Sequence, residues 1–371
     1  MAVRVLEVNV DDIGMGGVFS LVRNVIRHNQ GNIHIDIATL EPFENYSNIE
    51  ELEGYGCKVH YVGYKNSKIL KQFFCFKRLK RIVRDHGYTC VHIHADVANK
   101  LFVSGLACKL AGVKRILLHS HASGVDGNHR IAKKIFHYTC RRFLRYIGTD
   151  FLTCSDLAAK WMYPNIDTDS IIHVNNGIDL LKFRYNEESR NQMRSELGLE
   201  GKYVIGHVGR FAYQKNHNYL IRVFKHVKKT EENAVLLLVG DGVLKDEIKT
   251  QIADWGLTDD VIFYGVSNHV EELFQCMDIF VLPSHFEGLP IVGVEAQASG
   301  LPVLFSDKIT KTAQVIDDVR FLPIEKDDVS KWVNLIIDYK DKKRYDTYQQ
   351  LKDRGFDTSD TVLLLSQLYN K

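Results

Sequence analysis

Short runs of β-branched and other apolar residues alternate with stretches whose apolar positions recur at helical spacing, almost from end to end of the chain. This alternation predicts an α/β protein with mostly parallel sheets, because each parallel strand needs a crossover, usually a helix, before its neighbour. In the first half the pattern predicts strands at residues 3–8, 34–39, 58–62, 90–94, 115–119 and 150–153. Helices are predicted between them at about 19–28, 67–85, 98–110 and 129–146. The second half restarts the same grammar, with strands at 203–208, 234–239, 261–264, 279–282 and 303–305. Two Rossmann-like sheets follow. The turn residues Asn175, Asn176, Gly177, Ile178 and Asp179, with the polar stretch through Glu187, Glu188, Ser189 and Arg190, form the linker candidate. The expected domains are 1–182 and 183–371, with the C-terminal helix a candidate to pack back on the first. Ligands of such folds sit beyond the carboxyl ends of the strands, so a cleft between the two sheets is the expected site.

A chain of 371 residues is too long for one ordinary core, in keeping with two domains. The start, MAVRVLEVNVDD, runs straight into a strand without the charged-then-apolar pattern of a signal peptide, and no apolar run approaches a membrane span. The expected location is the cytoplasm, with peripheral contact to the inner membrane face left open. Cys57, Cys75, Cys90, Cys108, Cys140, Cys154 and Cys276 are odd in number and contain no Cys-x-x-Cys, so they are read as buried thiols. Charge is divided unevenly. Residues 1–175 hold 23 Lys and Arg against 16 Asp and Glu, a net of +7, which leaves −5 for the remainder. A basic half can attract nucleic acid, an anionic membrane or a phosphorylated ligand, and charge alone does not choose.

Several strand ends carry residues able to do chemistry. Gly14, Gly16 and Gly17 lie between the first strand and a helix, where glycine lets backbone N–H groups approach a phosphate, although a plain tight turn is as good a reading. The pattern lacks the full Gly-x-Gly-x-x-Gly of dinucleotide binding. Two His-x-His pairs, His92/His94 and His119/His121, put both rings of each pair on one strand face. That geometry could ligate zinc or manganese, but no carboxylate or further histidine is evident near either pair. No metal is expected, and His121 is placed instead as a hydrogen-bonding group.

In the second half, Gly209, Arg210, Lys215 and Asn216 follow a strand and lead into a helix, an arrangement that suits a pyrophosphate or, equally, a solvated pair of cations. Gly240, Asp241 and Gly242 make another turn after the next strand. The most specific run is Pro283 through Ala296, in which a strand end passes through Glu287, Gly288 and Leu289 into a helix expected to start near Leu289 and to carry Glu295 nearly two turns inside.

Taken in order, Gly16-Gly17, His121, Asn176-Gly177-Ile178-Asp179, Gly209-Arg210 with Lys215-Asn216, Val239-Gly240-Asp241-Gly242 and Glu287 to Glu295 as Glu-x7-Glu make the chain resemble the retaining glycosyltransferases of family four, of the bacterial polysaccharide type with the GT-B fold. The resemblance implies a hexosyl transfer from a nucleoside-diphosphate sugar, a UDP-sugar above all, to a hydroxyl of a glycan or lipid-linked glycan, in surface polysaccharide synthesis. It implies that Arg210 and Lys215 hold the diphosphate and that Glu295 binds the ribose hydroxyls. Glu287, with the N–H groups of Gly288 and Leu289, would face the donor sugar and phosphate, and His121 would meet the sugar from the opposite domain. Gly16, Gly17, Gly209, Gly240 and Gly242 would let backbone approach the donor. It further implies a front-face substitution with no protein nucleophile, no cofactor and no metal, in agreement with the expected absence of a metal-binding Asp-x-Asp. Asn175 stands where many relatives have proline.

Two alternatives are a nucleotide-sugar 2-epimerase of similar architecture and a non-catalytic sugar-binding protein. Nucleic acid is not an expected partner, since basic charge comes without a recognition motif. An anionic membrane surface is a candidate partner, because Lys77, Arg78, Lys80, Arg81 and Arg84 share a predicted helix with Phe73, Phe74 and Phe76. Ile69, Phe73, Phe76 and Val83 form its predicted apolar stripe, with Lys71, Arg78 and Arg81 opposite. A second basic helix carries Lys133, Lys134, Arg141, Arg142 and Arg145.

Overall fold

The computed structural model describes residues 3–13, 17–29, 33–64, 68–127 and 129–371, apart from the side chains of Lys68, Ile69 and Lys71. Two units divide the chain. Met1–Gly177 with Thr358–Lys371 form the first, and Ile178–Asp357 the second.

The first unit is built on a seven-stranded sheet in the order β3-β2-β1-β4-β5-β6-β7, every pair parallel. Its strands are β1 Val3–Val8, β2 Ile33–Thr39, β3 Val59–Tyr61, β4 Cys90–Ala95, β5 Arg115–Ser120, β6 Asp150–Thr153 and β7 Ile171–His173. Side chains alternate between two cores. Leu6, Val8, Val91, Ile93 and Leu118 pack with Leu79 and Leu101 of the helices Lys68–His86 and Ala98–Leu110. Val5, Cys90, Leu117 and Leu152 pack with Phe19 and Val22 of the helix Gly17–His28 and with Leu365, Leu368 and Tyr369 of the helix Thr358–Asn370. The last helix of the chain therefore belongs to the first unit.

The boundary expected at 182 lies at 177/178, within the linker candidate 175–179, and only the polar stretch expected to continue that linker is corrected. The short helix Leu180–Phe183 packs on the helices Val270–Cys276 and Ile291–Ala298 of the second unit. The polar stretch 187–190 is the first turn of the helix Glu187–Glu196. Asn186 caps it by accepting the Ser189 N–H at 2.8 Å, and Glu187 and Glu188 face its positive end.

Of the stripe expected on the helix Lys68–His86, Val83 is buried and Phe76 packs against the core, while the Ile69 side chain lies outside the described residues. Cys75 and Leu79 complete the buried row, whereas Phe73 is 51% exposed. Lys77 lies over its ring at 4.5 Å from the centroid. The helix expected at 129–146 is an α-helix over Arg130–Cys140 followed by a 3-10 helix over Arg141–Tyr146. His137 anchors it, accepting the Ala98 N–H on Nδ1 at 3.0 Å, donating from Nε2 to the Trp161 carbonyl at 3.1 Å and stacking on the Trp161 ring. With His137 and Leu144 its buried residues, Ile131, Ile135, Phe136 and Phe143 are left exposed.

The second unit has a six-stranded sheet in the order β10-β9-β8-β11-β12-β13, again with every pair parallel. The strands are β8 Tyr203–Val208, β9 Ala234–Val239, β10 Val261–Gly265, β11 Ile279–Leu282, β12 Val303–Ser306 and β13 Val319–Leu322. β8, β9 and β11 are buried at every position, as continuous apolar runs sandwiched between helices should be. The core is closed by Trp332, whose indole N–H donates to the Pro323 carbonyl at 2.7 Å.

Candidate functional site

In the second sheet the chain builds outward from β8 in one direction through β9 and β10, and in the other through β11 to β13. β8 and β11 therefore flank the switch point where loops of parallel sheets diverge and ligands bind. The loops after β8, β9 and β11 carry the residues singled out from the sequence: Gly209, Arg210 and Lys215; Gly240 and Gly242; and Glu287, Gly288 and Leu289.

These loops interlock through backbone. Gly209 N–H donates to Val239 O at 2.9 Å, Phe211 N–H to Asp241 O at 2.9 Å and Leu244 N–H back to Phe211 O at 3.0 Å. Gly240 has φ +133, and a Cβ built there would stand 2.3 Å from Gly209 O, so a side chain has neither the dihedral nor the space. Asn216, at φ 57, turns the chain from the 3-10 turn Tyr213–Lys215 into the helix His217–Thr230. Its side chain donates to Pro283 O at 3.1 Å, tying the β8 loop to the β11 loop.

Lys215 and Glu287 form an ion pair at 2.9 Å with little exposure of either side chain. Glu287 Oε1 also accepts from Ser284 Oγ at 2.8 Å, and Oε2 from Gln214 Nε2 at 2.9 Å. Glu287 is thus a hub that fixes the Lys215 ammonium at the end of β8. Gln214 and Ser284 are parts of this hub to which the sequence assigned no role, Gln214 because it lies 73 residues from Glu287, whereas Ser284 is only three residues from it. Arg210 is exposed on the same loop.

Pro290 caps the helix Ile291–Ala298, so the start expected near Leu289 is shifted and Glu295 is its fifth residue. Burial first, and the Glu271 carboxylate second, push the Glu295 carboxyl up to about 7, against the opposing pull of Lys182 and Lys215. Lys182 is itself paired with Glu271 at 2.9 Å.

In the first unit, Gly16 lies outside the described residues, and Gly17 opens the helix Gly17–His28. His121 follows β5, its N–H donating to Ala95 O at 3.0 Å. Strand register brings four histidines to one face, because His92 and His94 lie across from Glu7 on β1 and from Leu117 and His119 on β5. The carboxylate missing near both pairs is Glu7, a correction to the sequence reading: its Oε2 accepts from His94 Nε2 at 2.7 Å and lies 3.1 Å from His92 Nδ1. Ring nitrogens of His92 and His119 face one another at 3.1 Å, and those of His94 and His121 at 2.8 Å, which are hydrogen-bond separations. Nitrogens of His92, His94 and His119 lie within 4.8 Å of one another, so an ion there would have to displace bonds the rings already make.

The chain does contain one Asp-x-Asp, Asp167-Thr168-Asp169. It forms a 3-10 turn before β7, where the Asp167 carboxylate accepts the Asp169 N–H at 3.3 Å.

Comparison with known proteins agrees with this geometry. The family described as "Glycosyltransferase Family 4" matches residues 15–181, and that described as "Glycosyl transferases group 1" matches residues 189–357. A putative glycosyltransferase, EpsF of Bacillus subtilis (strain 168), is 30% identical over 99% of this chain and 96% of its own length. An Escherichia coli enzyme named UDP-Gal:alpha-D-GlcNAc-diphosphoundecaprenol alpha-1,3-galactosyltransferase is 26% identical over 75% of this chain and 73% of its own. Among solved structures, Anabaena HepE in complex with UDP and glucose superimposes with a TM-score of 0.79 at 16% identity, covering 99% of both chains. Full-length kinship together with two parallel-stranded units places the chain in glycosyltransferase family four, as a glycosyltransferase with the GT-B fold.

Proposed function

We propose that the protein is a retaining, metal-independent hexosyltransferase that moves a sugar from a UDP-sugar to a hydroxyl of a glycan or lipid-linked glycan in surface polysaccharide synthesis. The observation that carries this reading is the pair of cations, Arg210 and Lys215, at the switch point of the second sheet, with Lys215 fixed by Glu287 and with Glu295 on the next helix. Fixed cations stabilise charge on a departing diphosphate without reorganising during the reaction. The Glu295 carboxylate suits two vicinal ribose hydroxyls. HepE, solved with UDP and glucose, supports the donor class, and the Escherichia coli relative's name, which specifies UDP-Gal and a diphosphoundecaprenol acceptor, supports a lipid-linked one.

In the step proposed, the acceptor oxygen bonds to the sugar C1 on the face that the leaving group departs. The bond from C1 to the phosphate oxygen breaks, and the acceptor's proton passes to that phosphate. Arg210 and Lys215 take up the developing charge, and His121 keeps the role the resemblance implies, a contact to the transferring sugar.

A thermal-shift panel of nucleotide sugars, followed by NMR of the product anomer, tests the reading, because a ligand of the native state raises its melting temperature. Stabilisation by a UDP-sugar, with the donor's anomeric configuration kept in the product, is expected. An inverted product would contradict the retaining mechanism. Because cations already occupy the diphosphate position, activity should survive exhaustive chelation; loss with EDTA and recovery with manganese would contradict metal independence.

No helix among the described residues is long and apolar enough to cross a membrane. For a lipid-linked acceptor such as the Escherichia coli relative's name specifies, the reading is of peripheral contact with a membrane surface from the cytoplasmic side.

A further inference from the structure

Glu7 is a buried carboxylate that the transfer step does not use. An ionised carboxylate can only accept hydrogen bonds; burial opposes the charge on Glu7, but His92 and His94 outweigh it and hold the carboxyl well below the usual carboxylate range. Its 2.7 Å contact therefore requires the His94 proton to sit on Nε2. Burial keeps His94 neutral, its pKa lowered to about 4, so its Nδ1 is bare. That bare nitrogen, 2.8 Å from His121 Nε2, must accept, which fixes the His121 proton on Nε2. His121 Nδ1 is then a lone pair, and it is buried without a hydrogen-bond partner among the described residues. On the other side of Glu7, the hydroxyl of Tyr369, from the last helix, donates to Oε1 at 2.5 Å and accepts from His92 Nδ1 at 2.7 Å.

We propose that Glu7, held by Tyr369 and acting through His94, is a positioning residue that locks His121 in the Nε2-protonated tautomer, so that Nδ1 accepts a hydrogen bond from a hydroxyl of the donor sugar. This rests on the reading of His121 as a donor-sugar contact. A buried acceptor left unpaired costs free energy, so the lock also makes the site reject a donor lacking that hydroxyl.

Two measurements on the full chain test the proposal. Long-range proton–nitrogen NMR of 15N-histidine-labelled protein reads each tautomer. His121, assigned by the signals lost in His121→Gln, should show a bare Nδ1 and a protonated Nε2. Glu7→Leu, which removes the acceptor, should release a mixture of tautomers, and Glu7→Gln, which keeps an acceptor oxygen, should restore the single one. A protonated His121 Nδ1 in the wild type would overturn the lock. In turnover with the nucleotide sugar that the binding panel selects, Glu7→Leu should lower kcat by about tenfold or more, as loss of an orienting partner does, with the donor KM changing far less. The same substitution made in His121→Ala should cost almost nothing further. Should Glu7→Leu fail to fold, Tyr369→Phe gives the same comparison with a smaller loss. An equal fold-loss with and without His121 would overturn the proposal, because a merely structural residue is additive. Wild-type turnover by His121→Ala, with the tautomer intact, would instead overturn the donor-contact reading and leave the lock standing.

Discussion

Lys215 and Glu287 face one another at 2.9 Å, so removing either leaves the other with an uncompensated charge in a nearly buried site. Lys215→Ala and Arg210→Ala should each cost roughly 2 to 4 kcal/mol of transition-state stabilisation, read as kcat/KM with the selected donor. Wild-type rates in both would contradict the assignment. Glu295 adds a pH dependence whose sign can be worked out. With its pKa raised to about 7, its contribution to stability without ligand is fully present below the ordinary carboxyl value and is lost as pH rises through about 7. In the proposed complex nucleotide binding has the opposite sign, because an ionised Glu295 is the better acceptor for two ribose hydroxyls. UDP affinity should rise between about pH 6 and pH 8 in calorimetry, and Glu295→Gln should flatten the rise.

Loops hold the site together at the next scale. Gly240→Ala would force a side chain into a positive-φ position with its Cβ 2.3 Å from the Gly209 carbonyl oxygen. The β8 and β9 loops would have to part, at a cost of at least about 2 kcal/mol, visible as a lower melting temperature and a smaller shift with nucleotide. Elements were legible in the sequence where burial was complete. β8, β9 and β11 are continuous apolar runs and lie where the pattern put them. β7 and β13 are edge strands, half exposed, and their mixed character gave no periodic signal. The helix Glu187–Glu196 buries only Met193 among its residues, so its polar first turn read as linker. Lys215 and Glu287 were recognised from motifs near the strand ends they sit on. Glu7 was not, because its partners, His92 and His94, come from a strand 85 residues further on, and only the sheet register joins them.

For the whole molecule, the uneven charge takes on a location. The segment Arg130–Tyr146 exposes Ile131 at 79%, Phe136 at 65% and Phe143 at 48%, interleaved with Lys133, Lys134, Arg142 and Arg145. An interfacial helix has this composition, with apolar side chains entering the headgroup region and each basic one contributing about 1 kcal/mol near anionic lipid. The helix Lys68–His86, first in line from the sequence, exposes Leu70 and Phe73 as its large apolar groups among the described side chains. Co-sedimentation should therefore require anionic vesicles, weaken with salt and fall more on Lys133→Glu/Lys134→Glu than on Lys77→Glu/Arg81→Glu. Equal recovery in the supernatant with and without anionic lipid would remove the membrane contact and leave the transferase intact. The central claim is that the switch point of the second sheet holds the nucleotide, and hydrogen exchange of the full chain with and without UDP tests it most directly. Protection concentrated in 209–216, 240–244 and 283–295 is the result predicted, and protection that bypasses these three loops would contradict it.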